Sequence, residues 1–227
     1  MGRALQVWGD QAGKRNATRH GRLYNRPVKS LEEYLTLAAE RHKHLCPGQV
    51  LGVRMAMLGL RSLGIADPEA HGKRLVTFVE IDRCATDAVG VVTSCSLGRR
   101  SLKYVDYGKV AATFVDLETG AAVRISARDD SRAKAREMFP EIAKPQRQQM
   151  EAYKVMNDAD LFTVQNVKVH LAPEDLPGGP RSRVQCDSCG EGINHGREVR
   201  REGRVLCRAC AGEGYYKVVP AGEGKPQ

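Results

Sequence analysis

Two cysteine pairs near the carboxyl end constrain this chain more than any other feature of its sequence. Cys186-Asp-Ser-Cys189 and Cys207-Arg-Ala-Cys210 are C-x2-C pairs separated by 17 residues. Four thiolates at this spacing are typical of a tetrahedral zinc site. The segment around them has few large apolar side chains, so we expect metal binding to supply its folding free energy. Because all four coordination positions are taken by protein, we predict a structural zinc rather than a catalytic one.

The same segment also resembles a known type of zinc module. Residues 186–193 together with 206–210 are similar to the zinc finger of the TraR and DksA type, whose relatives contact RNA polymerase. This resemblance implies a protein partner for the finger. Two disulfides are the alternative to zinc, and we disfavour them because nothing in the sequence indicates export to an oxidising compartment.

Composition and charge exclude several classes of protein. The chain has 227 residues, of which 41% are hydrophobic, enough for one globular core and a small module. It contains no run of 18 or more apolar residues and no apolar signal-peptide core, so we predict a cytoplasmic protein without a membrane segment. The net charge is +9, and residues 1–30 form a basic leader with seven Lys and Arg against one Asp. Nucleic acid is a less favoured partner, because aromatic residues make up only 5% of the chain.

The order of predicted elements indicates an α+β fold, with a mixed helix and antiparallel-sheet core and a small carboxy-terminal zinc-finger domain. Ser30 and Glu33 form a capping-box pattern at the start of the first helix. The apolar periodicity predicts helices over 31–42, 50–63 and 84–95, a charged helical region over 129–157, and strands over 75–81, 102–107, 112–117, 122–126 and 161–169. Residues 118–120 predict a hairpin turn. A segment rich in Pro and Gly marks a linker, and the predicted division is a core over 31–170, a linker over 171–185 and the finger with its tail over 186–227.

Three further cysteines lie in the predicted core. Cys46 follows His42 and His44 closely, so a thiol and an imidazole can meet there. On an unbroken helix His42 shares a face with Cys46, whereas an extended segment aligns His44 with it. Cys84 opens a predicted helix, a position that favours the thiolate, and Cys95 follows the end of that helix.

We therefore expect a second metal site in the core, holding zinc or another divalent metal. Its candidate ligands are His42, His44, Cys46, Cys84 and Cys95. Cys46 and Cys84 with one histidine, His44 ahead of His42, would leave a coordination position for water or a ligand. Cys95 is the weaker candidate, since a free cysteine commonly packs as a small hydrophobe.

Four motifs in order resemble the family of the formylmethanofuran dehydrogenase E-subunit. They are residues 42–48, 79–89, 93–98 and 106–109, and the likeness spans roughly residues 31–126. The resemblance implies an α+β core, often an intertwined homodimer, with metal near the His/Cys motif. It also implies that the molybdenum or tungsten centre and the iron–sulfur clusters belong to other proteins of the complex. Two motifs differ from the family pattern, with Lys43 where glycine is common and serines on both sides of Cys95.

Three functions follow from these motifs. The preferred hypothesis is a zinc-binding protein with an open His/Cys site in a homodimeric core, auxiliary to molybdenum or tungsten enzymes. The apolar helix over 50–63 also favours a dimer, because one modest domain would not cover it. A zinc-dependent enzyme is the first alternative, with Asp87 and Lys109 as proton-transfer groups. A zinc-finger regulator that binds polymerase or nucleic acid is the second.

Overall fold

A computed structural model describes residues 29–69 and 73–219 of the chain. Most of the predicted basic leader, residues 1–28, lies outside the described residues. The described helices are α1 (Leu31–His42), α2 (Pro47–Ser62), α3 (Cys84–Thr93), α4 (Ser131–Met138), α5 (Pro145–Val155) and α6 (Asp158–Leu161). The strands are β1 (Leu75–Val79), β2 (Leu102–Tyr104), β3 (Ala111–Asp116), β4 (Ala122–Ala127), β5 (Phe162–Asn166), β6 (Arg183–Gln185), β7 (Gly192–Asn194), β8 (Val199–Arg201) and β9 (Arg204–Leu206). The predicted α+β class is confirmed.

The core is a five-stranded sheet with the order β2-β1-β3-β4-β5. All neighbouring strands are antiparallel except β1 and β2, which are parallel and are joined by α3. The predicted turn after β3 is confirmed, and Gly120 adopts the left-handed conformation there, with φ of +74°. Because β1 and β2 run in the same direction, the start of α3 lies beyond their shared carboxyl edge.

The joint between α1 and α2 fixes the His/Cys motif. α1 begins with the predicted capping box, in which Ser30 and Glu33 each accept a backbone N–H of the other. It ends at His42 because Lys43 is left-handed, with φ of +71°. The sequence predicts that Pro47 ends or bends the first helix; instead Pro47 opens α2, where its missing N–H costs nothing. The motif therefore spans a short loop between two helices.

Helix α2 is the centre of the core. It packs against α1, α3 and α5 on its flanks and against β3 and β4 of the sheet. Most of its residues are buried, including Val50, Val53 and Met55. One chain therefore covers this helix, and the argument for a dimer from an uncovered second helix falls away.

One glycine sets the distance between α2 and α3. A Cβ on Gly52 would lie 2.4 Å from the carbonyl oxygen of Ala85 and 2.8 Å from the Cβ of Ala88. Real Cβ atoms do not approach a backbone oxygen so closely, so only glycine allows this contact. The close approach brings the amino-terminal ends of α2 and α3 together.

The carboxy-terminal module is built from two short hairpins, β6–β7 and β8–β9. The β8–β9 hairpin lies between the two cysteine pairs. The buried cluster of the carboxy-terminal module is small and consists of Cys186, Ile193, Leu206 and Ala211. No described helix, in 29–69 or 73–219, has the length and apolar character needed to span a bilayer.

Candidate metal centres

The four cysteines of the finger converge on one point. The Sγ atoms of Cys186, Cys189, Cys207 and Cys210 all lie within 4.8 Å of one another. Cys189 Sγ and Cys207 Sγ are 3.9 Å apart, close to the spacing of about 3.8 Å that two thiolates have on a tetrahedral zinc ion. The donor set and its spacing fit zinc.

Two thiols of the finger have pKa values shifted in opposite directions. The backbone N–H groups of Cys189 and Cys207 donate to Cys186 Sγ and lower its pKa to about 6. The N–H of Glu191 acts in the same direction on Cys189, but burial and the three neighbouring thiols together raise the pKa of Cys189 to about 12. Four thiolates this close need a cation between them, and a divalent metal provides that charge.

A second group of ligand atoms forms in the α1–α2 loop. The ligand atoms of His42, His44 and Cys46 lie within 4.8 Å of one another. The two imidazole rings are 4.8 Å apart between centroids and are tilted by 45°. The structure thus brings both predicted histidines to the thiol, because the loop leaves the helical path after His42.

Asp87 contacts the first of these histidines. Its Oδ2 lies 2.9 Å from Nδ1 of His42, and the two residues are 45 positions apart in the sequence. An ionised carboxylate can only accept here, so Nδ1 carries the proton, and in the neutral imidazole the lone pair is then on Nε2. A carboxylate behind a histidine in this way orients the ring and raises its basicity as a metal ligand. The sequence suggested Asp87 only as a proton-transfer group.

Cys46 and Cys84 each lie at the amino-terminal end of a helix, Cys46 as the N-cap of α2 and Cys84 as the first residue of α3. Burial raises the pKa of the Cys46 thiol and the nearby Cys84 thiol raises it further, whereas backbone N–H groups of Gln49 and Gly48 lower it. A Cβ on Gly48 would lie 3.8 Å from Cys46 Sγ and 3.4 Å from Cys84 Cβ, so glycine sits between them. Cys84 is thus a neighbour of the His/Cys group, although its sulfur is outside the 4.8 Å set.

The structure does not bring Cys95 to this group. Cys95 is buried, 3.5 Å from the Thr77 hydroxyl and 3.7 Å from the carbonyl oxygen of Leu75. Cys84 and Cys95 stand at opposite ends of α3, whose ten residues span about 15 Å. Packing in the apolar core therefore explains why a cysteine lies at position 95.

Lys109, the other suggested proton-transfer residue, is exposed, and its Nζ lies 5.9 Å from the ring centroid of Tyr107.

A cleft opens beside the His/Cys group. It has a volume of about 370 Å³ and is lined by His42, Asp82, Arg83, Cys84, Thr86 and Asp87. The amino-terminal end of α3 and the two residues just before it supply most of its lining. A small ligand in this cleft would contact His42 directly.

Two family models match the chain. The model described as "FmdE, Molybdenum formylmethanofuran dehydrogenase operon" matches residues 41–168. The model of the prokaryotic dksA/traR C4-type zinc finger matches residues 179–216. Both agree with the resemblances that the motifs indicate.

Two similar proteins match most of the chain. A protein of Archaeoglobus fulgidus named "Probable S-adenosyl-L-methionine-binding protein" is 32% identical over an alignment of 216 residues, and the alignment covers 86% of this chain. The alignment spans 57% of that relative's length. The crystal structure of an FmdE-like protein of the tungsten formylmethanofuran dehydrogenase type, from Syntrophus aciditrophicus, has a TM-score of 0.56 and 25% identity, and the match covers 86% of this chain and all of that one.

Proposed function

Given that this chain belongs to the FmdE family, we propose that it binds metal at two sites with different roles. The finger holds a structural zinc ion on its four cysteines. The core holds zinc or another divalent metal on His42, His44 and Cys46, with Cys84 next to them. The observation that supports the core site most directly is the convergence of two imidazoles and one thiol within 4.8 Å.

The chemistry of the donor set supports the same proposal. Nitrogen and sulfur ligands together suit zinc better than magnesium or calcium, which prefer oxygen. Asp87 holds His42 with Nε2 free, as carboxylates do behind the histidine ligands of metals. Three protein ligands leave a fourth position for Cys84, water or a ligand from the cleft, which distinguishes this site from the finger.

The test of the core site is the change Cys46→Ala. We expect it to remove one metal equivalent per chain, leaving the equivalent in the finger, while the free energy of unfolding falls by only about 1 to 2 kcal/mol. Metal content by mass spectrometry, measured after purification without chelators and addition of zinc, gives the count.

Cys95→Ala is the matched control, because it deletes a thiol of the same core that packs against β1. It should keep both equivalents. A wild-type chain that holds only one zinc, or a Cys46→Ala variant that still holds two, contradicts the core site without affecting the finger.

Zinc-dependent catalysis is the second candidate, and the cleft beside His42 is the observation that favours it. A metal facing this cleft would polarise a bound carbonyl or activate water. Cobalt in place of zinc makes the coordination visible by absorption. Because the A. fulgidus relative is named for S-adenosyl-L-methionine, that compound is the first ligand to add. A spectral change in the wild type that Cys46→Ala abolishes supports a ligand at the core metal.

We also propose that the chain is a homodimer that serves a molybdenum or tungsten enzyme. Support for a role auxiliary to such an enzyme comes from the description of the family and from the tungsten enzyme named in the similar structure.

The dimer rests on the family resemblance alone, since α2 is covered within one chain. Sedimentation equilibrium of the zinc-loaded chain should give twice the mass of 25.0 kDa. A monomer at tens of micromolar would contradict the dimer.

A further inference from the structure

A cluster of positive side chains lies where the finger meets the core, apart from both groups of metal-binding side chains. Arg100 and Lys103 come from the segment that leads into and forms the edge strand β2. His195 and Arg197 follow β7 of the finger. Residues 173–176 of the linker run between these two sets.

Hydrogen bonds fix two of these cations. Arg100 donates from Nη2 to the carbonyl oxygen of Glu174 and from Nε to that of Leu176, at 3.5 Å. Arg197 forms an ion pair with Asp175, between those two carbonyls in sequence. Both guanidinium groups are therefore held against the same short segment, one from the core and one from the finger.

The other two members each have a side-chain nitrogen without a hydrogen-bond partner. Among the described residues, Lys103 Nζ forms no hydrogen bond or salt bridge, although Lys103 is only partly exposed and Asp175 is near enough to attract its charge. The Nδ1 atom of His195 is buried and also has no hydrogen-bond partner within the described chain. A buried polar atom without a partner is rare in proteins, and a bound ion or water is one way in which such an atom is satisfied.

The backbone at the cluster is unusual as well. Arg100 and His195 have φ values of +61° and +63°, two of five positive values at non-glycine positions in the described chain. Left-handed conformations at residues with a Cβ persist where the surrounding structure enforces them. The fold thus holds both side chains at this point against the local preference of the backbone.

We propose that Arg100, Lys103, His195 and Arg197 form a binding site for a phosphate group. Beyond their bonds to residues 174–176, the two guanidinium groups keep further N–H donors, and Lys103 adds an ammonium; such donors recognise tetrahedral oxyanions. Asp175 supplies one negative charge against three permanent cations. A bound phosphate would balance the remaining charge and give Lys103 Nζ the hydrogen-bond partner that it lacks.

Electrostatics within the cluster agree with an anion site. Burial lowers the pKa of Lys103, Arg100 and Arg197 lower it further, and Asp175 opposes them by raising it. The pKa of His195 is lowered by burial and then by Arg100, Arg197 and Lys103. Each group thus lies in the positive electrostatic potential of the other cations, and the same potential would attract an anion.

The shape of the cluster favours a single phosphate of a small molecule over a nucleic-acid backbone. Arg100 and Arg197 both contact residues 174–176, and Lys103 and His195 are close enough to both to interact electrostatically, so the four side chains form one group. A nucleic-acid groove would track the backbone with several cations and stacking aromatic rings. We therefore assign the site to a small phosphorylated compound.

The test uses the zinc-loaded full chain with inorganic phosphate as the probe, against chloride at equal ionic strength. We expect phosphate to raise the melting temperature and to bind in calorimetry. Lys103→Met should weaken that binding about tenfold, because a charge-assisted contact is lost. Lys144→Met is the matched control: Lys144 is exposed and precedes α5, which packs on α2 and α4, and this change should leave the affinity unchanged.

Three outcomes would overturn the proposal. The first is no binding at millimolar phosphate, and the second is equal affinity in Lys103→Met and the wild type. In the third, a short single-stranded oligonucleotide binds through Lys103 while free phosphate does not, which would reassign the site to nucleic acid. The melting temperature of Lys103→Met without phosphate checks that the variant is folded.

Discussion

Replacing Cys189 by Ser is expected to remove one zinc equivalent and to unfold the finger while the core keeps its own melting transition. The finger depends on its metal because its buried cluster is small, with Cys186 itself as one of four buried members. Zinc binding contributes about 10 to 16 kcal/mol in peptides of this kind, far more than such a cluster supplies. The core instead buries a continuous set of apolar side chains from α1, α2, α3, α5 and the sheet.

The measurement combines metal content with amide NMR spectra of the isotopically labelled chain. We expect the amide signals of residues beyond the linker to move to the chemical shifts of an unfolded chain, and the amide signals of the core to remain dispersed. Arg204→Gln, on the exposed β8–β9 hairpin, is the control and should retain both the metal and the finger signals. Loss of the whole fold in Cys189→Ser would overturn the division into a core and a separate finger.

The second large effect is expected at the contact between α2 and α3, from Gly52→Ala. Alanine is favoured over glycine in a helix by about 1 kcal/mol, so propensity alone predicts stabilisation. The new Cβ, however, would lie 2.4 Å from the carbonyl oxygen of Ala85, and backbone cannot move aside as a flexible side chain does. Overpacking of this kind costs about 3 kcal/mol, so the net loss is about 2 kcal/mol.

Urea denaturation of the full chain measures this loss. Gly98→Ala is the matched control, because a Cβ there meets nothing within 4 Å and the residue does not need a positive φ. We also expect weaker metal binding at the core in Gly52→Ala, since moving α3 away shifts Cys84 and Asp87 relative to the α1–α2 loop. A stability equal to or above that of the wild type would show that the two helices are not in close contact.

Local features of the fold were predictable from the sequence. The capping box at Ser30 and the turn at Gly120 each involve residues within a few positions of one another. The four finger cysteines follow a fixed motif with a known spacing. Short-range patterns of this kind have few structural solutions. For the same reason the fold class and the finger were predicted correctly.

Contacts between distant residues were not predictable in this way. The hydrogen bond between His42 and Asp87 depends on α3 packing against α1, and spacing in the sequence says nothing about it. Likewise, the sequence keeps Cys95 among the candidate ligands, behind Cys84, and only the structure shows that the length of α3 separates the two. Pro47 is compatible with the end of one helix and with the start of the next; the left-handed turn at Lys43 ends α1, and Pro47 is then the first residue of α2.

The shortness of the α1–α2 loop has a thermodynamic consequence. The three ligand residues of the core group lie between positions 42 and 46, so even an unfolded chain can gather them at little entropic cost. A ligand that also binds the unfolded state stabilises the native state only by the difference between the two affinities. In the finger, whose cysteine pairs are 17 residues apart, we expect metal binding and folding to be one equilibrium. At the proposed core site the two would be nearly independent, so we expect the folded core to exchange its metal without passing through an unfolded state.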